Sequence, residues 1–429
     1  MDGHRVRGRT HMGVVALAVV LGLLAPACGG GSSDKSEKTG IDVMVSGDPE
    51  ELQAFRDVVS AFEDKQDAID VNLIEIADRD EMIARLATSI GGGQAPDLFL
   101  MNYRYVGQFQ AAGGLEPLGT YLDGSSVLSE DAFYPEALDA FRYDGTITCL
   151  PQNASSLVLY YNEDLLEKAG LEPPTAGWKW NEMVSHARAM TSKDVYGLGV
   201  DPEVLRIAPF IWSNGGELVD NDEDPTAFTL TTPLATEAMQ RFFFLRQDGL
   251  TPTDVEAESE DFESRFINGR LGMFMESRKV VPALRTITDF GWDVAPLPVM
   301  QEPATVLHSD AYCLTTSSEN PDEAWTFLEF ALGEEGQRIA AATGRTVPSL
   351  KSVAESEAFL DPTAEPQNSQ AFLDSIPIMR RVPNTASWPE IEDTANGLIE
   401  EGYYTNASAV EVAAEVQMTT KPMFTKPTG

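Results

Sequence analysis

Ile41-Asp42-Val43-Met44-Val45-Ser46-Gly47-Asp48-Pro49, running on through Glu50 to Lys65, is the stretch from which the folded part of this chain is read. Apolar and polar residues alternate from Ile41 to Val45 as in a half-buried strand, and Ser46-Gly47-Asp48-Pro49 then punctuates it. Leu52, Phe55, Val58, Val59 and Phe62 follow at spacings that gather them on one helix face, with Asp48 and Pro49 suited to the cap and first turn. The unit repeats. Asp70 to Ile76 predicts a second strand and Arg79 to Ile90 a second helix. After a Gly-Gly-Gly-Gln-Ala-Pro turn, Asp97-Leu98-Phe99-Leu100-Met101 predicts a buried third strand. Strands alternating with helices predict a parallel sheet.

The alternation continues outward. Ile147 to Leu150 and Leu157 to Tyr161 read as strands, and Glu182 to Thr191 as a helix. Thr232-Pro233 opens another helix, whose Leu234, Ala238, Met239, Phe242 and Phe243 form the expected buried stripe. Asn320-Pro321-Asp322-Glu323 reads as a capping box before a helix that turns Trp325, Leu328 and Leu332 to the core. No repeat of roughly 20–50 residues is visible, which argues against solenoids and propellers. The 429 residues, 43% hydrophobic and 23% charged, are enough for more than one core. The expected fold is α/β, in two lobes.

The first forty residues read as an address. Arg5, Arg7 and Arg9 precede an apolar run from Val14 to Leu24, and its eleven residues fall short of the roughly 20 that span a bilayer. Leu24-Ala25-Pro26-Ala27-Cys28 resembles a bacterial lipobox, which implies that 1–27 is a signal peptide and that Cys28 is acylated and becomes the N-terminus. A plain cleavage after Ala-x-Ala, with Cys28 left as a free thiol, is the alternative. Gly29 to Gly40 contains no apolar side chain, so 28–40 reads as a flexible tether. The protein is then expected to be exported and lipid-anchored to the outer face of the cytoplasmic membrane.

Thirty basic against 68 acidic side chains give a net charge of −38, which repels phosphate backbones and anionic lipid headgroups. Nucleic acid is therefore not an expected partner, and the anchor has to be the lipid. Of four histidines, His4 and His11 lie in the leader, leaving His186 and His308. No metal site and no cofactor is expected. Gly-x-Ser-x-Gly, Gly-x-Gly-x-x-Gly, Walker and His-Glu-x-x-His motifs are all missing, and the Ser-x-x-Lys match at Ser32 to Lys35 sits in the tether where no base is positioned. A pair of carboxylates for glycoside hydrolysis stays open, because folding alone can bring two of 68 acids together. Cys149 and Cys313 form an even pair in an exported setting, readable as a disulfide or as two buried thiols.

Candidate ligand residues cluster at the ends of predicted strands, where α/β sheets place their ligands. They are Asp48; Asn102-Tyr103-Arg104-Tyr105; Trp212 with Ser213-Asn214-Gly215-Gly216; Glu276-Ser277-Arg278; and Trp388. Aromatic rings suit the apolar faces of pyranoses, while Asp, Asn, Glu and Arg hydrogen-bond their hydroxyls, a mixture that points to a sugar. Core packing is the other reading for Tyr103, Tyr105, Trp212 and Trp388. It is the expected one for Trp178, Trp180, Trp292 and Trp325.

The order of motifs resembles the extracellular solute-binding proteins of ABC importers, in the sugar-binding group that includes maltose-binding protein. Gln94-Ala95-Pro96-Asp97-Leu98 with Gly114-Leu115-Glu116-Pro117-Leu118 is similar to the group's first-lobe segment. Leu150-Pro151 followed by Leu159-Tyr160-Tyr161-Asn162-Glu163-Asp164-Leu165 is the most specific piece. Ala169-Gly170-Leu171, Pro173-Pro174-Thr175 and Trp180-Asn181-Glu182-Met183 resemble the next segment, with Ala176 to Lys179 inserted. Phe266-Ile267-Asn268-Gly269-Arg270-Leu271-Gly272-Met273 and Asn320 to Phe330 resemble two more.

The resemblance implies a two-lobed periplasmic-binding-protein fold of type II, with lobe I at 41–152 and 313–358 and lobe II at 156–307 and 364–429. Three hinge crossings are implied near Asn153 to Leu157, Val306 to Tyr312, and Phe359 to Ala364. The ligand cleft lies between the lobes, which close over it. Cys149 and Cys313 then flank neighbouring crossings, which favours the disulfide. Asn153 and Ser155 join the cleft residues already named. Lys279 stands where maltose-binding protein has a stacking tryptophan and Ser155 where it has a hinge glutamate, so maltose is not the expected ligand. Arg104 and Arg278, if both face the cleft, would clamp a carboxylate or phosphate. The implied function is not enzymatic: a monomer that captures a carbohydrate and delivers it to the transmembrane permease subunits. A same-fold protein for a glycerol phosphodiester or a polyamine, and a secreted glycosidase, are the alternatives.

Overall fold

The computed structural model describes residues 38–424, so the signal peptide, Cys28 and most of the tether lie outside the described residues. From the N-terminus, β1 (Thr39–Ser46), α1 (Pro49–Glu63), β2 (Ile69–Ile76), α2 (Arg79–Gly91), β3 (Leu98–Asn102) and α3 (Tyr103–Ala111) follow in order. The hairpin β4 (Arg142–Tyr143) and β5 (Thr146–Ile147) leads to β6 (Cys149–Pro151), β7 (Ser155–Ser156) and β8 (Val158–Asn162). Then come β9 (Tyr196–Gly199), β10 (Leu271–Glu276), β11 (Trp292–Ala295), β12 (Thr305–His308), β13 (Asp310–Leu314) and β14 (Met379–Arg380).

Two large sheets result. The first has the order β2-β1-β3-β13-β6 and the second β11-β8-β10-β9, with the short sheet β14-β12-β7 between them in the chain path. The sheets are mixed, not parallel as expected. β1 pairs parallel with β2 and β3, but β13 runs antiparallel to both β3 and β6, because the chain returns to the first sheet after building the second. β8 likewise runs antiparallel to β10 and β11.

Each large sheet is buried on both faces. Val43 and Val45 pack with Leu52, Phe55, Val58 and Phe62 of α1 and with Phe327 and Leu328 of the helix Pro321–Leu332. Met44, Phe99 and Met101 face the opposite core. In the second sheet Val158, Tyr160, Phe274, Trp292 and Val294 share one face, while Leu159, Tyr161, Met273 and Met275 share the other. Fully burying side chains of this size contributes roughly 1.5–3 kcal/mol each, and β3, β8 and β10 are accordingly buried along their whole length, whereas the edge strand β2 keeps exposed polar positions.

Cys149 and Cys313 stand directly opposite each other in the β6–β13 pairing and are joined as a disulfide. The chain passes between the large sheets at β7 and at the β12–β13 junction, where Ser155 pairs with His308 and Ser156 with Leu307. Later, Leu350 and Val353 pack in the first sheet's core, whereas Phe359 and Phe372 pack in the second's.

Two helix expectations need correction. Leu234 is 40% exposed, and Ala235 takes its place in the buried stripe of the helix Pro233–Gln247. Asn320 holds the N-cap position, its carbonyl accepting from Ala324 N (2.9 Å), but its side chain makes no capping bond and its amide donates to the Gly40 carbonyl (3.2 Å). One glycine is required by packing near the site. A Cβ on Gly107 would sit 1.7 Å from the Asn384 carbonyl oxygen, so only glycine lets α3 lie against that loop.

Candidate functional site

A cavity of about 500 Å³ opens between the two large sheets. On the first-sheet side, β1 ends at Ser46 and Asp48 caps α1, its carboxylate accepting from Glu51 N (2.9 Å). β3 ends at Asn102, whose side-chain oxygen accepts from the Arg104 backbone N–H (3.3 Å) and from its Nε (3.2 Å). Arg104 in turn donates to Glu392 (2.8 Å), the two side chains being 12% and 4% exposed. Burial is the largest influence and opposes the charge on Arg104, but Glu392, Tyr105 and Tyr103 together outweigh it and the guanidinium stays cationic. Tyr105 stands between Arg104 and Arg79, whose guanidinium carbons lie 5.1 and 5.7 Å from its ring centre.

The second-sheet side is built on the loop after β10 and on the helix Val204–Ser213. Arg206 Nη2 donates to Glu276 Oε2 (2.6 Å), and Nη1 lies 3.2 Å from Glu203 Oε1. Lys279 Nζ lies 3.4 Å from Glu276 Oε2. Burial would raise the Glu276 carboxyl, but Arg206, Lys279 and the Ser277 N–H hold it down at about 2. One polar face of the helix Trp388–Tyr404, with Pro389, Glu392, Asp393 and Asn396, completes this side. Asn396 also accepts from Val204 N (2.8 Å), tying the two helices together.

The floor comes from the crossing strands. Asn153 donates to Asp310 (3.2 Å) and to Gln152 (3.1 Å), and Ser155 Oγ accepts from Val347 N (3.2 Å). Several buried polar atoms of the lining have no hydrogen-bond partner among the described residues: Asn153 Oδ1, Arg206 Nε, His308 Nε2 and Thr346 Oγ1. Such groups are costly unless satisfied, by roughly 1–3 kcal/mol each. Burial, with Arg206, Arg104 and Lys279 nearby, keeps His308 neutral at physiological pH. His186 packs on Trp178 and takes no part.

Of the residues predicted from sequence, the structure brings Asp48, Asn102, Arg104, Tyr105, Asn153, Ser155 and Ser277 to the cavity wall. Tyr103, Trp212, Glu276, Arg278 and Trp388 do not line it. Tyr103 points into the core, accepting from Val382 N (3.2 Å). Trp212 lies under Arg380 at 4.8 Å, and Trp388 packs between Phe228 and Phe424. Glu276 stands behind Arg206 and acts through it. Arg278 turns into the second lobe, its guanidinium 4.3 Å from the Phe359 ring centre and 4.9 Å from that of Phe372. The arginine clamp expected of Arg104 and Arg278 therefore does not form. Sequence reading missed Glu51, Arg79, Glu203, Arg206, Asp310, Arg345 and the helix face from Pro389 to Asn396, whereas Lys279, noted only as a departure from maltose-binding protein, does line the cavity. Of the missed residues only the helix face had a signal, the spacing of three and four.

A family model described as bacterial extracellular solute-binding protein matches residues 57–367. This chain belongs to that family. A putative binding protein of Brucella abortus is 27% identical over 361 residues, covering 81% of this chain and 84% of the relative. The galactooligosaccharide-binding protein of Bacillus subtilis is 22% identical over 420 residues, covering 94% and 95%. Among solved structures, the ABC substrate-binding protein Lmo0181 of Listeria monocytogenes, in complex with cycloalternan, superposes with a TM-score of 0.82. Its identity is 25%, with 90% of this chain and 99% of that one covered. The sugar-binding protein MalE of Xanthomonas citri superposes with a TM-score of 0.80 at 19% identity, covering 90% and 97%. The two-lobed α/β binding-protein fold is thereby identified, and the family is one of exported binding proteins, not enzymes.

Proposed function

We propose that this protein is the substrate-binding component of an ABC importer and that it captures a neutral carbohydrate between its lobes. The observation that carries the sugar reading is the internal pairing of charge in the cavity. Arg104 is matched by Glu392, Arg206 and Lys279 by Glu276, and Arg345 by Asp48 and Glu51. Among the described residues Arg79 is the one cavity cation with no carboxylate in ion-pair range. What faces the cavity is thus mostly a set of fixed, polarised hydrogen-bonding groups, with one cation, Arg79, and two carboxylates, Asp310 and Asp393, outside any ion pair, which suits hydroxyls better than a phosphate. Relatives whose names specify a galactooligosaccharide and a maltotriose support the same reading.

Under this proposal Asp48, Asn102, Arg104, Tyr105, Asn153, Ser155 and Ser277 contact the sugar directly, and the lobes rotate about the crossings near 153–157, 306–312 and 359–364. Delivery is to the permease subunits, from a monomer tethered by lipid at Cys28. The test is thermal unfolding of the protein with neutral sugars, acidic sugars, glycerol phosphates and polyamines. A ligand at 100 times its dissociation constant adds ~2.7 kcal/mol, which shifts the midpoint by a few degrees. A shift with neutral sugars is expected, and a shift only with a phosphodiester or a polyamine would overturn the carbohydrate reading.

A further inference from the structure

Charged side chains stand on both walls of the cavity. The first-sheet wall presents Asp48, Arg79 and Arg104, and the second-sheet wall presents Glu203, Lys279 and Asp393, with Asp310 on the floor. They are within reach of an occupant: the Asp48, Glu203 and Lys279 side chains are 39%, 33% and 53% exposed. Internal pairing leaves bonding capacity over. Arg104 engages Asn102 through Nε and Glu392 through Nη1, so that among the described residues its Nη2 has no partner. Asp310, Asp393 and Arg79 stand outside any ion pair. Donors and acceptors therefore remain on the walls and on the floor alike.

Open apolar surface is scarce by comparison. Leu100, Met101 and Leu205 belong to the lining but are only 6%, 2% and 4% exposed, which leaves Ala77 and Pro389. All six tryptophans are buried and none lines the cavity. Tyr105 is the one tyrosine, tryptophan or phenylalanine ring of the lining among the described residues, and the guanidinium carbons of Arg79 and Arg104 already lie over it. A pyranose ring carries most of its hydroxyls around its edge and presents C–H groups on at least one face, which an aromatic ring suits. Laid between these walls, such a face would strip water from charged groups and return no hydrogen bond, and unpaired buried polar groups are costly. An open-chain sugar alcohol has a hydroxyl on every carbon and no such face.

Resting on the carbohydrate reading and narrowing it, we propose that the cavity takes an open-chain sugar alcohol in preference to a pyranose. Its hydroxyls donate to Asp310 and Asp393 and accept from Arg79 and Lys279. Arg79 sets the preference in two ways, by supplying N–H donors and by covering the Tyr105 ring on which a pyranose face would stack.

The experiment is isothermal titration of the protein with glucitol, galactitol and mannitol, with the parent aldoses, and with maltose, cellobiose and galactobiose. At least one sugar alcohol is expected to bind roughly tenfold or more tightly than any of the ring sugars. Arg79→Ala, at the exposed first residue of α2, uncovers Tyr105, and the ratio of ring-sugar to sugar-alcohol affinity is expected to rise by roughly fivefold or more. The ratio is taken within one variant, so a general loss of binding does not imitate it. Arg79→Lys keeps a cation but not the planar group over the ring, and should give an intermediate ratio. A ring sugar binding wild type as tightly as the best sugar alcohol, or a ratio unchanged in Arg79→Ala, overturns this preference and leaves the carbohydrate reading standing. Binding of none of these sugars and sugar alcohols overturns both.

Discussion

Arg206 Nη2 lies 2.6 Å from Glu276 Oε2, with both side chains 4% exposed, and this buried ion pair forms the second-sheet wall of the cavity. The pair fixes the Arg206 guanidinium, which Glu203 also holds at 3.2 Å. Removing one member of a buried pair strands the other, so Glu276→Gln is expected to cost about 3–5 kcal/mol of stability at pH 7, read by urea unfolding. The pH dependence has a definite sign. The folded-state carboxyl sits at about 2, below its ordinary 4.5, so its contribution is present above pH 4.5 and is lost as pH falls toward 2. Glu276→Gln should flatten that acid limb.

Asp201, between β9 and the helix Val204–Ser213, has the opposite sign. Burial outweighs the attraction of Arg206 and pushes its carboxyl up to about 6. The folded state then binds the proton more tightly than the unfolded one, and stability falls as pH rises from about 4 through 6. Asp201→Asn is expected to stabilise the protein at pH 7.5 by on the order of 1–3 kcal/mol. The advantage over wild type should vanish near pH 4, as measured by thermal unfolding across that range.

The Cys149–Cys313 bridge joins residues separated by 164 positions within the first sheet. Replacing both cysteines by alanine should cost about 2–5 kcal/mol, visible as a lower unfolding midpoint under non-reducing conditions. Neither cysteine lines the cavity, so ligand affinity should change by less than about twofold. A larger change would mean that the bridge controls lobe closure.

Arg278 has no carboxylate in ion-pair range among the described residues and lies between two phenylalanine rings, where burial and then Arg285 push its pKa down to about 9. A desolvated charge of this kind is poorly compensated, so Arg278→Met should leave stability within about 1 kcal/mol of wild type or raise it. Ligand affinity should not move. A loss of tenfold or more by titration calorimetry would return Arg278 to the site.

The fold was legible in the sequence wherever a pattern is local. The strand from Ile41, the helix after Asp48 and the buried run ending at Met101 are each found within a residue or two of where the periodicity puts them. Strand direction was not legible, because β13 meets β3 across some two hundred residues and nothing in either segment records the partner. The site divided in the same way. Residues at strand ends, such as Asp48 and Asn102, reached the cavity because the sheet carries them there. Trp212 and Trp388 did not, since burying an indole removes on the order of 150–250 Å² from water and the core competes for it. Arg206 was hidden inside a helix whose every residue is buried, a pattern that reads as core.

The antiparallel strand β13 also bears on how the chain assembles. It lies between β3 and β6, both of which precede it by more than a hundred and fifty residues, so the first sheet stays split until residue 314 has been made. The loop that closes when β13 docks contains the whole second sheet. Long-range pairings of this kind set the pace of folding, because chain entropy is lost before the contacts that repay it form. During synthesis at roughly 5–20 residues per second, the N-terminal part spends many seconds without β13. A chain in that condition remains threadable, the state required by an export channel that passes only unfolded polypeptide.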